Sequence, residues 1–157
     1  MEPLEIKKYP DDVLRQHSVD IGIEEIIDKG ANLFEQMFFT MKHFKGIGLA
    51  APQIGINKKI LVAEVEGKII RLANPEIIKI NGTDKMTEGC LSVPNFSVEI
   101  ERFYKIVVKG FNEKGKILFI EAEGLLARVL QHEIDHLNGK LIIDYLPFGE
   151  NSQKLPV

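Results

Sequence analysis

His132 and His136 stand four residues apart in the run Gln131-His132-Glu133-Ile134-Asp135-His136. On a helix that spacing leaves two imidazoles on one face, about 6 Å apart along the axis and about 40° apart in rotation. Two rings so placed can reach one ion. Glu133 follows the first histidine, to the side of that face, where it can touch a water on the metal more easily than it can become a third ligand. The H-E-x-x-H pattern serves metal-dependent hydrolysis for this reason: the ion lowers the pKa of its water, and the carboxylate takes and later delivers the proton.

The residues around the motif test the metal reading. Leu125, Leu126, Val129, Leu130 and Leu137 join His132, Glu133 and His136 in covering much of the circumference of a helix predicted over 122–138, too wide an apolar surface for a helix on the outside of a domain. Glu121 and Glu123 fall at its positive end, and Gly139 is placed to supply a left-handed residue just past its last turn. The helix should be the buried axis of the domain. Burying two imidazoles and a carboxylate without partners is costly, so a shared ion accounts for them better than chance.

One cysteine is present, Cys90. A single free cysteine is more often a small buried hydrophobe than a ligand, but this one sits in Glu88-Gly89-Cys90-Leu91-Ser92, where the glycine permits a close backbone approach. Two histidines and a thiolate would leave a tetrahedral ion one open position for water, as catalytic sites require. Such donors suit Fe(II) or Zn(II). A lone cysteine forms no internal disulfide, and the first residues, Met-Glu-Pro-Leu-Glu-Ile-Lys-Lys, have neither an apolar signal core nor transit-peptide composition. A reducing, cytoplasmic setting is expected.

These groups need elements to carry them. A chain of 157 residues, 45% hydrophobic and 27% charged, fits one globular domain over 1–157. Twenty Lys plus Arg against 23 Asp plus Glu give a net charge of −3 with no basic stripe, which argues against a nucleic-acid substrate. No apolar run approaches the roughly 20 residues that cross a bilayer. Residues 1–22 carry turn chemistry and read as an arm. Ile26, Leu33, Met37, Met41 and Phe44 recur at helical spacing over 23–44, with Gly30 as a weak point. The glycines and Pro52 of 46–55 predict a shaped loop or irregular strand. Short β-branched runs at 60–65, 68–73, 76–80, 97–100, 105–111 and 116–121 read as antiparallel strands and hairpins, parted by Gly67, Asn74-Pro75, Asn81-Gly82 and 112–115. Residues 149–157 read as a loose tail.

Three blocks, Gly46-Ile-Gly-Leu-Ala-Ala-Pro-Gln53, Glu88-Gly-Cys-Leu-Ser92 and Gln131-His-Glu-Ile-Asp-His136, resemble the signatures of the peptide deformylases in the family's order. The likeness extends to Tyr9-Pro-Asp-Asp-Val-Leu-Arg15 and Leu137-Asn-Gly-Lys-Leu-Ile-Ile-Asp-Tyr145, and so over nearly the whole chain. It implies an α+β fold in which antiparallel or mixed β-sheets wrap around a central metal-binding helix, with an N-terminal helix packed outside. It also implies removal of the formyl group from N-formylmethionine of nascent polypeptides by water activated on the metal. Cys90, His132 and His136 would be the ligands and Glu133 the acid/base. The Gln53 amide and the Leu91 N–H would meet the tetrahedral oxyanion. Ile47 and Gly48 would pair with the substrate backbone as an added strand, and Leu125 and Val129 would line the methionine pocket. Arg102 would lie near the substrate chain. The residues alone leave second readings open: Gln53 as a surface amide, Leu125 and Val129 as plain core, Arg102 as a solvated arginine, Glu88 as either a partner of a ligand histidine or a loop anchor. Arg128 is expected at the pocket rim with its head in water.

The family implication for the cofactor is Fe(2+), with Zn(2+), Ni(2+) or Co(2+) able to take its place in the purified protein. The implied partners are formyl-Met nascent peptides. The resemblance also points to the ribosome near its exit tunnel as a partner, although the Gly/Pro-bearing ending lacks the basic C-terminal helix that some members use to dock. Two rival functions remain. A zincin-like metallopeptidase would need a third His or Glu ligand farther along, and only Asp144 and Glu150 follow His136. A non-catalytic metal-binding module of the same fold would be expected to lose Glu133 or Gln53, and both are present.

Overall fold

The computed structural model describes residues 1–147, so the tail expected over 149–157 lies outside the described residues. The sheet begins from a sequence with no alternation. Ile60-Leu61-Val62-Ala63 is apolar at every position and buried at every position, which a strand tolerates only when both faces are covered. Both are. Strand β2 (Ile60–Val65) lies between β1 (Gly48–Ala50) and β3 (Lys68–Glu88), followed by β4 (Val98–Phe111) and β5 (Ile117–Glu123), in one five-stranded sheet ordered as in the chain. Every ladder is antiparallel.

Two helices cover the two faces. Helix α3 (Leu125–Leu137) sends Leu126, Ala127, Val129, Leu130 and Leu137 against Ala50, Leu61, Ala63, Leu72, Ile106 and Val108. On the other face, α2 (Ala31–His43) packs Phe34, Met37 and Met41 on Leu49, Ile60 and Val62. The N-terminal helix therefore packs on one face of the sheet and the motif-bearing helix on the other. Among the described residues no helix is long and apolar enough to cross a membrane.

Several expected boundaries move. The helix expected over 23–44 opens as α1 (Ile23–Glu25), passes through a π-helical segment, Ile26–Gly30, and continues as α2. The π turn changes the phase, so the buried seam is Ile26, Gly30, Phe34, Met37 and Met41; Leu33 is only half-buried and Phe44, past the end of α2, is 39% exposed. Gly30 serves that seam, because a Cβ there would lie 3.3 Å from the carbonyl oxygen of Glu113. The turns expected at Asn74-Pro75 and Asn81-Gly82 are absent: β3 runs through both, with register shifts between Ala73 and Glu76 and between Ile77 and Lys79. Asn74 takes the left-handed conformation (φ 50°), and its side-chain amide exchanges two hydrogen bonds of 2.9 Å with the backbone of Ile21. The pair expected at 97–100 and 105–111 is likewise the single strand β4.

The motif helix starts later than expected. Glu121, Ala122 and Glu123 pair with Val107, Ile106 and Lys105 as the end of β5, so the two glutamates are strand residues rather than N-terminal helix charges. Gly124 (φ 62°, ψ −131°) makes the corner into α3, a conformation open almost only to glycine. At the other end Gly139 (φ 72°) follows Asn138 in the left-handed region, as expected.

Candidate active site

Helix α3 delivers His132 and His136 to one face, with ring centroids 5.1 Å apart. Cys90 arrives from the turn that follows β3, its Sγ 3.4 Å from His136 Nε2. One donor atom from each of the three residues lies within 4.8 Å of the others. A tetrahedral ion with one sulfur and two nitrogen ligands holds its donors roughly 3.5 Å apart, so the residues present fit such an ion. Their protonation differs. Burial opposes charge on His132, but Glu133, Cys90 and Glu88 outweigh it and hold the imidazole well above its usual value, so an ion bound there would displace a proton from that ring. Burial, with His132 and Arg102 nearby, pushes His136 well below its usual value, which keeps it neutral as a ligand must be.

Glu133 is 3% exposed. Burial pushes its carboxyl up to about 7 against the downward pull of His132 and Arg102, and its Oε1 has no hydrogen-bond partner among the described residues. Its Oε2 lies against Gly48, where a Cβ would collide with it and sit 2.9 Å from Val129 Cγ1. The bare Cα of Gly48 is what makes room for the carboxylate.

Gln53 belongs to a 3-10 turn, Ala51–Ile54, directly after β1, and is 2% exposed. The Ala50 N–H donates to its Oε1 at 2.9 Å, which fixes the amide so that Nε2 donates to Ser92 Oγ at 3.1 Å and points at Cys90 Sγ, 3.8 Å away. The surface reading of Gln53 is thereby removed. Among the described residues the Leu91 N–H donates to no acceptor.

A cavity of about 510 Å³ opens beside these groups, and Ile47, Gly48, Leu125 and Val129 line it together with Gln53 and Glu133. β1 is an edge strand. The Glu64 N–H donates to the Ile47 carbonyl at 2.9 Å, so Ile47 already uses its carbonyl on β2 and offers the cavity its side chain, 47% exposed. By antiparallel alternation the backbone groups of Gly48 face away from β2 and form the open edge.

Two arginines are not where the sequence reading put them. Arg102 is 5% exposed and does not line the cavity. It donates from Nε and Nη2 to Glu88 at 2.7 and 2.9 Å and from Nη1 to Asp135 Oδ2 at 2.7 Å, beneath the Tyr145 hydroxyl. Neither the substrate-side reading nor the solvated one describes it; it holds the site from behind. Arg128, expected at the rim in water, is 3% exposed with its head bonded across to Glu88, Ile100 and Asp84.

Glu88 joins these arginines to the histidines. Burial would raise its carboxyl, but Arg102 and His132 hold it at about 2. An ionised Glu88 can only accept, so the His132 Nδ1–H donates to its Oε1 at 2.9 Å and Nε2 is left free for an ion. Glu88 thus bonds His132 and both arginines at once. Sequence reasoning missed Asp84, Asp135, Tyr145 and Ser92. Asp135, Ser92 and Tyr145 stood inside the quoted stretches; nothing local marked Asp84.

A model of the polypeptide deformylase family matches residues 3–151. The sequence is 49% identical over 146 residues to a peptide deformylase of Halothermothrix orenii, covering 92% of this chain and 94% of that protein. The crystal structure of peptide deformylase from Thermotoga maritima is similar with a TM-score of 0.89 at 41% identity, over 94% of this chain and 99% of that one. Peptide deformylase from Ehrlichia chaffeensis in complex with actinonin gives a TM-score of 0.91 at 37% identity, over 99% and 95%.

Proposed function

Since this chain belongs to the polypeptide deformylase family, we propose that it hydrolyses the formyl amide of N-formylmethionine at the start of nascent polypeptides, releasing formate and a free α-amine. The observation that carries the reading is a buried Glu133, with one oxygen unpartnered among the described residues, set beside a cluster of one cysteine sulfur and two imidazoles. A rival endopeptidase would ligate with a third imidazole or carboxylate, and Cys90 takes that place here.

Each residue has a definable task. Cys90, His132 and His136 would hold a divalent ion, which when bound polarises water and the formyl carbonyl as a Lewis acid. Glu133, buried and with one oxygen unpartnered among the described residues, is placed to accept a proton from the attacking water and pass it to the leaving nitrogen. The Gln53 Nε2–H and the Leu91 N–H would donate to the oxygen that gains charge; Gln53 is pre-aimed by Ala50 and loses little order in doing so. The open edge at Gly48 would pair with the substrate backbone, a mode indifferent to sequence, and Leu125 and Val129 would receive the methionine side chain. Arg102 and Glu88 serve at one remove, by fixing His132.

The same reading assigns Fe(2+) as the working ion, with Zn(2+), Ni(2+) or Co(2+) able to occupy the same donors. It places the reaction in the cytoplasm, where formylated chains emerge from ribosomes. Incubation of the protein, purified without oxygen, with formyl-Met-Ala-Ser tests it. Stoichiometric formate and Met-Ala-Ser are expected; cleavage inside the peptide with the formyl group retained would overturn it.

A further inference from the structure

The Arg128 head reaches from α3 to two strands. Nη1 donates to Glu88 Oε2 at 2.7 Å and to the Ile100 carbonyl at 2.9 Å; Nη2 donates to the Asp84 carbonyl at 2.9 Å and to Asp84 Oδ1 at 3.0 Å. Asp84, Met86 and Glu88 alternate with their neighbours along β3, so the guanidinium grips the strand on either side of Met86. Met86 and Thr87 line the same cavity as Leu125, Arg128 and Val129. Arg102 and His132 also hold Glu88 at the far end of this stretch, but among the described residues Asp84, on the near side of Met86, is tied by its side chain to Arg128 alone. β2 pairs with β3 over Lys68–Ala73, so among the described residues β4 is its one ladder partner from Glu76 onward.

We infer that Arg128 is a specificity-determining positioning residue, a strut between α3 and the end of β3 that sets the width of the chamber receiving the first side chain of the substrate. It rests on the deformylase reading above. A flexible chamber would admit wide side chains by letting β3 swing outward. A braced one admits an unbranched side chain of methionine size and rejects an aromatic ring. The planar fork is what permits four bonds to two strands at once; lysine carries the charge without that geometry. An arginine that served only general stability would affect all substrates alike.

The test uses metal-loaded enzyme and formate release from formyl-Met-Ala-Ser and formyl-Phe-Ala-Ser, with Arg128→Met, Arg128→Lys and Asp84→Ala compared with the wild type. The wild type is expected to favour methionine over phenylalanine in kcat/KM by roughly tenfold or more, the scale on which an apolar pocket discriminates. In Arg128→Met the ratio should fall towards one, with the loss on formyl-Met appearing mainly in KM. Arg128→Lys should not restore it. Asp84→Ala cuts one tie at its partly exposed end, so it should lower the ratio less and carries the test if Arg128→Met does not fold. An unchanged ratio, with both substrates falling by a common factor, would overturn the strut. Absence of formate from both peptides with the wild type would instead overturn the deformylase reading, and the strut with it.

Discussion

Gly48 and Glu133 occupy a space that closes if either gains an atom. A Cβ at position 48 would meet Glu133 Oε2 and Val129 Cγ1 at once, and α3 cannot retreat because Leu126, Ala127 and Leu130 are packed into the core behind it. Gly48→Ala should therefore displace the carboxylate without disturbing Cys90, His132 or His136. Misplacing a catalytic group by about 1 Å costs on the order of a hundredfold, so kcat/KM should fall by about that factor while bound metal, measured on the same sample, stays stoichiometric. A variant that lost metal in parallel would mean that Gly48 supports the ligands instead. At this scale the sequence was informative: H-E-x-x-H and the lone cysteine marked the donors before any fold was known. What it could not show was which way the Gln53 amide faces, because that is decided by the Ala50 N–H and not by the types of neighbouring residues.

Elements follow local chemistry only where no distant partner overrules it. β2 begins and ends where its apolar run does, Ile60–Val65, because turns flank it and both faces are covered. Asn74-Pro75 and Asn81-Gly82 have turn chemistry, yet β4 pairs along β3 past both, and the long ladder outweighs local preference. The same competition delays α3: Glu121–Glu123 suit a helix, but their backbone is used by Val107–Lys105 of β4. The whole change from strand to helix then falls on Gly124, at φ 62° and ψ −131°. Gly124→Ala should cost about 1–3 kcal/mol, read as a lower urea midpoint at unchanged slope. No neighbour lies within 4 Å of a Cβ there, so the loss would come from the backbone and not from a clash. An unshifted midpoint would contradict the corner's need for glycine.

Across the whole molecule, the ends of the described chain are clasped. Arg15, in the 3-10 turn Asp12–Arg15, donates to both carboxylate oxygens of Asp144 at 2.6 and 3.0 Å, and Asp144 also accepts from the Leu141 N–H. Burial would raise the Asp144 carboxyl, but Arg15 and the Leu141 N–H together hold it below its usual value. A carboxylate held low in the folded state binds protons less readily there than in the unfolded chain. Its contribution is therefore full above its ordinary value near 3.8 and is lost as pH falls through the lower folded value. The stability difference between wild type and Asp144→Asn should shrink between about pH 5 and pH 2, by less than about 1 kcal/mol, since both partners are partly solvated. A difference that grew on acidification would contradict the clasp. Such long-range ion pairs were the least legible features in the sequence: Arg15 and Asp144 are far apart in the chain, and the apolar stretch Leu125–Leu130 gave no reason to expect the Arg128 head anywhere but in water.

The division of labour between holding an ion and moving a proton is tested most directly by one paired measurement: metal content and formate release on Glu133→Gln, with Cys90→Ala as its counterpart. Glu133→Gln should retain one metal per chain and lose turnover by about 10²–10⁴-fold, whereas Cys90→Ala should lose the metal itself. A Glu133→Gln protein that kept its metal and turned over at the wild-type rate would contradict the role given to Glu133.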